Sequence, residues 1–162
     1  MSESEAAKGV LEVLREAFEG GRPGEGTTFV ENTRADGGRN SGVFATLDAL
    51  TAEQASRPTE LGTSVAAHAA HVAYHLEVTV RWAGGERGPF DWQGSFAPAV
   101  VDDAAWAATR ARVRAAYDAL LAHAAATTEW NMDAAAELAG SVAHAAYHLG
   151  AIRQIAKLAI RE

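Results

Sequence analysis

The chain has 162 residues, 48% hydrophobic and 22% charged, with a formal net charge of −7 and no cysteine. That is one domain, 1–162, with enough length for a core, and it excludes disulfides, thiolate-ligated zinc and a cysteine nucleophile. The acidic balance, without a lysine or arginine cluster, argues against a nucleic-acid partner, and no apolar run is long enough to span a membrane. The opening "MSESEAAKGVLEVLREAFEG" lacks a basic region followed by an apolar core, so a cytoplasmic location is expected.

The first predicted element is a helix over 3–19, with Val10, Leu11, Leu14 and Phe18 at helical spacing. Ser2 and Glu5 fit a capping box, and Gly20-Gly21 is a stop. Residues 20–42 hold seven of the fifteen glycines and read as a long irregular connection. "SGVFATLDAL" (41–50) is a second helix, and "TAEQASRP" a capped turn with Thr51 and Gln54 as its box. Thr63 or Ser64 caps a long helix reaching about Trp82 and ending at Gly84-Gly85. Residues 85–100, with Pro89, Pro98, Gly88 and Gly94, form another loop, in which Phe90 and Trp92 either line a pocket or cover the bundle's end.

An Asp cap in "VDDAAW" opens a helix running to about Thr127, which carries the basic "RARVR" (110–114) on a solvated face. Asn131 or Asp133 opens the last helix, to about 160. No segment alternates as a strand must. Four long helical patterns, with the first two pieces sharing one role, predict an all-α four-helix bundle.

Five of the six histidines fall in "SVAAHAAHVAYHL" (64–76) and "GSVAHAAYHLGAI" (140–152). His144 and His148 are four apart on one helix face, while His68, His71 and His75 form a stripe on another helix. A single buried histidine is usually a hydrogen-bonded core residue. Several are harder to bury, because each ring has a donor and an acceptor to satisfy, at about 1–3 kcal/mol for each one unpaired. One divalent ion satisfies three imidazole nitrogens together. The helix reads "HAAYH", without the zincin glutamate, and no histidine has an acid three residues before it, as a di-iron site requires. A mononuclear three-His site therefore stands against a purely structural role for the histidines.

The stretches "LDALTAEQASRP", "SVAAHAAHVAYHLEVTVRWAGG" and "VAHAAYHLGAIRQI" make residues 38–160 resemble the DinB/YfiT-like superfamily of four-helix-bundle metalloproteins. The resemblance implies an up-down-down-up bundle as a core at 38–162, its first helix within 38–50, with residues 1–37 as an added N-terminal helix and Gly-rich loop. It implies one divalent ion held by His71, His144 and His148: zinc or nickel, with iron or manganese as alternatives. His68, His75, Tyr147 and Arg153 are then supporting or substrate-contacting candidates, Tyr74 is a packing residue, and His123 is exposed. The family's chemistry implies a metal-dependent S-transferase using a low-molecular-weight thiol. The alternatives are a metal-dependent hydrolase using metal-bound water and a non-catalytic metal-binding stress-response protein. A small-molecule substrate and a homodimer are the expected partners. The broad apolar arc of the last helix, from Val142 and Leu149 to Ile155 and Ile160, points to the dimer unless the N-terminal helix covers it.

Overall fold

A computed structural model describes residues 5–20, 27–30 and 42–161. Among them the regular elements are all helical: α1 (Glu5–Glu19), α2 (Val43–Asp48), α3 (Ala52–Ser56), α4 (Val65–Ala83), α5 (Asp103–Ala126) and α6 (Met132–Arg161), with one 3-10 turn at Gly94–Phe96. None of these helices is long and apolar enough to cross a membrane.

The helix starts lie where short polar side chains can satisfy the free amides of a first turn. Thr51 and Gln54 cap α3 reciprocally. Ser64 Oγ accepts from Ala67 N–H at 3.2 Å and donates to the Ala99 carbonyl at 2.6 Å. Asp102 accepts from Ala105 N–H at 2.8 Å, and Asn131 Oδ1 from Ala134 N–H at 3.0 Å. The proposed Ser2 cap lies outside the described residues. α4 ends at Gly84, and the chain turns at Gly85 with φ of 98°, a left-handed value that favours glycine.

The Ser64–Ala99 bond and the Ser56–Val101 pair bring the starts of α4 and α5 to one end of the molecule. The two helices then run in parallel, bridged by a bidentate Arg112–Glu77 pair at 2.7 Å in both bonds. α6 returns antiparallel to α4, so that His144 lies beside His71 and the Ala159 carbonyl accepts from the Arg57 guanidinium. Leu76, Val113, Leu120, Ile152 and Ile155 are essentially inaccessible in the core between these helices.

α1 lies along α6 and buries Leu11, Leu14 and Phe18 in the same core. It thereby covers part of the apolar arc of α6, although Ile160 at its end stays exposed. Within 38–50, expected to hold the first bundle helix, the described residues 42–50 form the six-residue α2, and α1 adds the longer helix on this side. α1, α2 and α5 meet through three rings: Phe18 stacks on Tyr117 at 4.8 Å, and Phe44 contacts both at 5.6 and 5.3 Å. Trp106 donates from its indole N–H to the Leu50 carbonyl at 2.9 Å, fixing α5 to the chain after α2.

The two ends of the Gly-rich connection touch. A Cβ on Gly42 would lie 2.4 Å from both the Phe18 carbonyl oxygen and the Gly20 nitrogen, so only glycine fits there. Within the connection, the buried Glu16 carboxylate of α1 accepts the backbone N–H groups of Thr28, Phe29 and Val30 at 2.6, 2.8 and 2.9 Å.

Candidate metal centre

The antiparallel crossing of α4 and α6 sets the histidine stripe of one helix against the HxxxH of the other. One ring nitrogen from each of His71, His144 and His148 lies within 4.8 Å of the others. Among the described residues they are the one group of three or more His, Asp or Glu side chains close enough to share an ion. His71 and His148 are buried and His144 half-buried. His71 Nε2 and His144 Nε2 are 3.1 Å apart.

A neighbouring loop settles the tautomer of His71. Ser95 Oγ lies 2.5 Å from the Trp92 carbonyl and 2.6 Å from His71 Nδ1. A carbonyl only accepts, so the serine proton goes to Trp92, and His71 Nδ1 must then carry the proton it donates to Ser95. His71 Nε2 is left with its lone pair facing His144. Ser95 is itself placed by a tight turn: Gly94 N–H donates to Asp91 Oδ1 at 2.8 Å, and a Cβ on Gly94 would run into the Asp91 carboxylate. Phe96, from the same turn, lies flat on the His71 ring at 3.9 Å and 9°.

His68 and His148 approach through their Nδ1 atoms at 2.9 Å. With the proton on His148, its Nε2 also keeps a lone pair, and His68 is the acceptor that orients it. His75 stacks flat on His144, with centroids 3.6 Å apart at 10°, and its own Nδ1 is buried without a partner among the described residues. Tyr147 is 72% exposed and meets His148 edge-on at 5.0 Å. Tyr74 packs edge-on against Trp92 at 5.5 Å. Arg153 is half-buried on α6, between one and two turns beyond His148. His123, expected to be exposed, is half-buried and lines a cavity with Trp82, Asn131 and Glu137.

Electrostatically the cluster favours neutral rings. Burial, reinforced by the nearby His75, His148 and His71, pushes His144 down to about 3. Burial with His68, His71 and His75 nearby brings His148 to about 4, and burial with His71 nearby brings His75 to about 4. Burial also lowers His68 and His71. Neutral imidazole is the form that ligates a cation.

The donor set fits a divalent ion. Without one, the 3.1 Å contact needs a proton, which must sit on His144 because His71 Nε2 has none. A cation satisfies the same nitrogens, and Ser95 and His68 already occupy the outer nitrogens of two of the rings, as metal-bound imidazoles require. Ser95→Ala is therefore expected to lower zinc affinity about 10- to 100-fold without changing the helical content. Competition with a chromophoric chelator measures this directly; unchanged affinity would show that the serine does not orient His71.

Ser95 and Phe96 were not identifiable as site residues from the sequence. The available signal was "DWQGSF", in which an Asp three residues before a Gly marks a tight turn. Nothing local says that this turn reaches α4.

A family profile described as DinB superfamily matches residues 41–152, more than half of the chain. No curated protein and no solved structure shows significant similarity to it. An all-helical bundle, a three-histidine group compatible with metal binding, and this match together give one conclusion: the chain belongs to the DinB superfamily.

Proposed function

We propose that the protein is a metal-dependent enzyme of the thiol S-transferase type, with one divalent ion, zinc or nickel, on His71, His144 and His148. The observation that carries this reading is the convergence of three neutral imidazoles from two helices, with Ser95 fixing the lone pair of His71. An ion held by three neutral ligands keeps its full charge and lowers the pKa of a thiol or water bound to it.

The chain's own groups supply orientation and shielding. Ser95 and His68 hold the outer nitrogens of His71 and His148. Phe96 covers one face of His71, and the Trp92 ring lies 6.4 Å from it. The chain has no cysteine, so a thiol nucleophile comes with the substrate.

A small thiol is expected to raise charge-transfer absorption in the cobalt-substituted protein and to leave a His144→Ala variant unchanged. Absorption spectra across a thiol titration, followed by turnover with electrophilic acceptors, test this. Ester or amide turnover inhibited by thiols would favour the hydrolase instead, and metal binding without either reaction would favour the non-catalytic protein. A homodimer belongs to the same proposal, although α1 already covers part of the apolar arc of α6. A 17 kDa particle by light scattering at micromolar concentration would remove it.

A further inference from the structure

Beside the histidine cluster, between the C-terminal half of α4, the first turns of α6 and the 86–96 loop, lies a cavity of about 320 Å³. Its walls include Trp82, Phe90, Trp92, Val78, His75 and Glu137. A second cavity of about 550 Å³ adjoins it and shares Trp82, Ala136 and Glu137. Such a space holds a small organic molecule. None of its walls is one of the three candidate metal ligands, so the pocket stands whether or not they hold an ion.

The composition of the walls selects the occupant. The aromatic rings form a run, Trp82 to Phe90 at 6.4 Å and Phe90 to Trp92 at 6.3 Å. Trp82 and Trp92 remain 42% and 43% exposed, a large aromatic surface to leave in water. Two of the rings already carry guanidinium groups: Arg81 Cζ lies 5.1 Å from the Phe90 centroid and Arg87 Cζ 4.2 Å from that of Trp82. Arg81 is itself paired with Glu86, and Arg87 donates to the Trp82 and Glu86 carbonyls, so both belong to the outer brace of the loop. Trp92 carries no such partner among the described residues.

No lysine or arginine lines the smaller cavity. Its one acidic group, Glu137, is half-buried, and its carboxylate makes no hydrogen bond or ion pair among the described residues. Aromatic faces present negative potential, and an unpaired carboxylate adds a full charge opposite them. This combination suits a cation with apolar substituents. An anion here would meet Glu137, and Arg87, the basic side chain nearby, lines the adjoining cavity and is held over the Trp82 ring.

We infer that this cavity binds a small organic cation, a protonated or quaternary amine, with its charge between the Trp92 and Phe90 rings and the Glu137 carboxylate. The rest of such a molecule extends toward His75, whose ring lies flat on His144. The cation would thus sit one imidazole away from the histidine trio.

Choline and its uncharged isostere 3,3-dimethylbutanol are the probes, titrated into the full-length protein at constant ionic strength and followed by tryptophan emission and calorimetry. Choline is expected to saturate the signal and to bind at least about tenfold more tightly than the isostere. Glu137→Gln is expected to weaken choline about fivefold or more and to leave the isostere unaffected, with unchanged helical content and metal stoichiometry. Trp92→Leu, on the exposed loop, is expected to remove most of the choline affinity. Equal binding of the two probes, no saturable binding of choline, or a Glu137→Gln variant that binds choline like the parent would each overturn the inference. Because Glu137→Gln leaves the three histidines intact, loss of cation binding with full metal content separates this pocket from the metal reading.

Discussion

Replacing His71, His144 or His148 singly by alanine is expected to lower bound zinc from about one equivalent per chain to near zero. His123→Ala should keep the full equivalent. Each of the three rings supplies one nitrogen to the same small volume, and two remaining imidazoles do not make a closed set for a tightly held ion. His75 is the informative control. It lies on the same stripe of α4 as His71, but its ring is stacked against His144 instead of converging on it with its nitrogens. His75→Ala should therefore keep the metal. Elemental analysis of the purified variants, with circular dichroism confirming the helices, decides the matter. Metal retained by His71→Ala and lost by His75→Ala would move the site by one turn of α4.

Acid should destabilise the metal-free protein steeply. His144 is held down to about 3, and His148 and His75 to about 4, chiefly by burial. In the unfolded chain these imidazoles titrate near 6.5. Between about pH 4 and 6.5 the unfolded state therefore binds more protons than the native one, and stability rises with pH across that window. The contribution is complete above 6.5 and is lost progressively on acidification toward the folded values. Each extra proton gives a slope of about 1.4 kcal/mol per pH unit. The rings retain partial contact with water, so about three protons is the upper bound and about one the lower. Urea midpoints recorded with a chelator at pH 5 and pH 7.5 should differ clearly, with the lower value at pH 5. Added zinc should raise the midpoint at both pH values, because the folded rings are still neutral at pH 5 and remain open to the ion. A flat profile would mean that the cluster takes up protons without opposing the fold.

Much of this was legible in the sequence because it is local. The caps depend on residues three positions apart: Thr51 and the Asp cap, at Asp102, form as read, and of the pairs left open, Thr63 or Ser64 and Asn131 or Asp133, the structure uses Ser64 and Asn131. The pairing of His144 with His148 follows from one helical turn. The choice of His71 from the stripe on α4 was different. Spacing alone treats His68, His71 and His75 alike, and the motif resemblance singled out His71. In the structure it is the stagger of α4 against α6 that brings His71 to the trio, leaving His68 beside His148 and His75 against His144.

Tertiary approach accounts for what the sequence withheld. Ser95 lies 24 positions from His71 and bonds it only because the loop folds back over α4. Glu16 reads as an ordinary charge on an amphipathic helix, yet it is buried under three backbone amides from residues 28–30. The weight carried by α1 was equally hidden, since nothing local says that Gly20 and Gly42 will touch.

That contact has a consequence for how this protein can be rebuilt. Gly42 lies directly against Gly20 and the Phe18 carbonyl, so the intervening residues join two ends separated by almost no distance. Their number therefore sets no helix register, and each doubling or halving changes chain closure by only about 0.6 kcal/mol. A short linker could replace most of the segment, and an inserted domain could occupy it, with α1 keeping its seat on α6. One described debt is the Glu16 carboxylate, which would need new donors once residues 28–30 were removed.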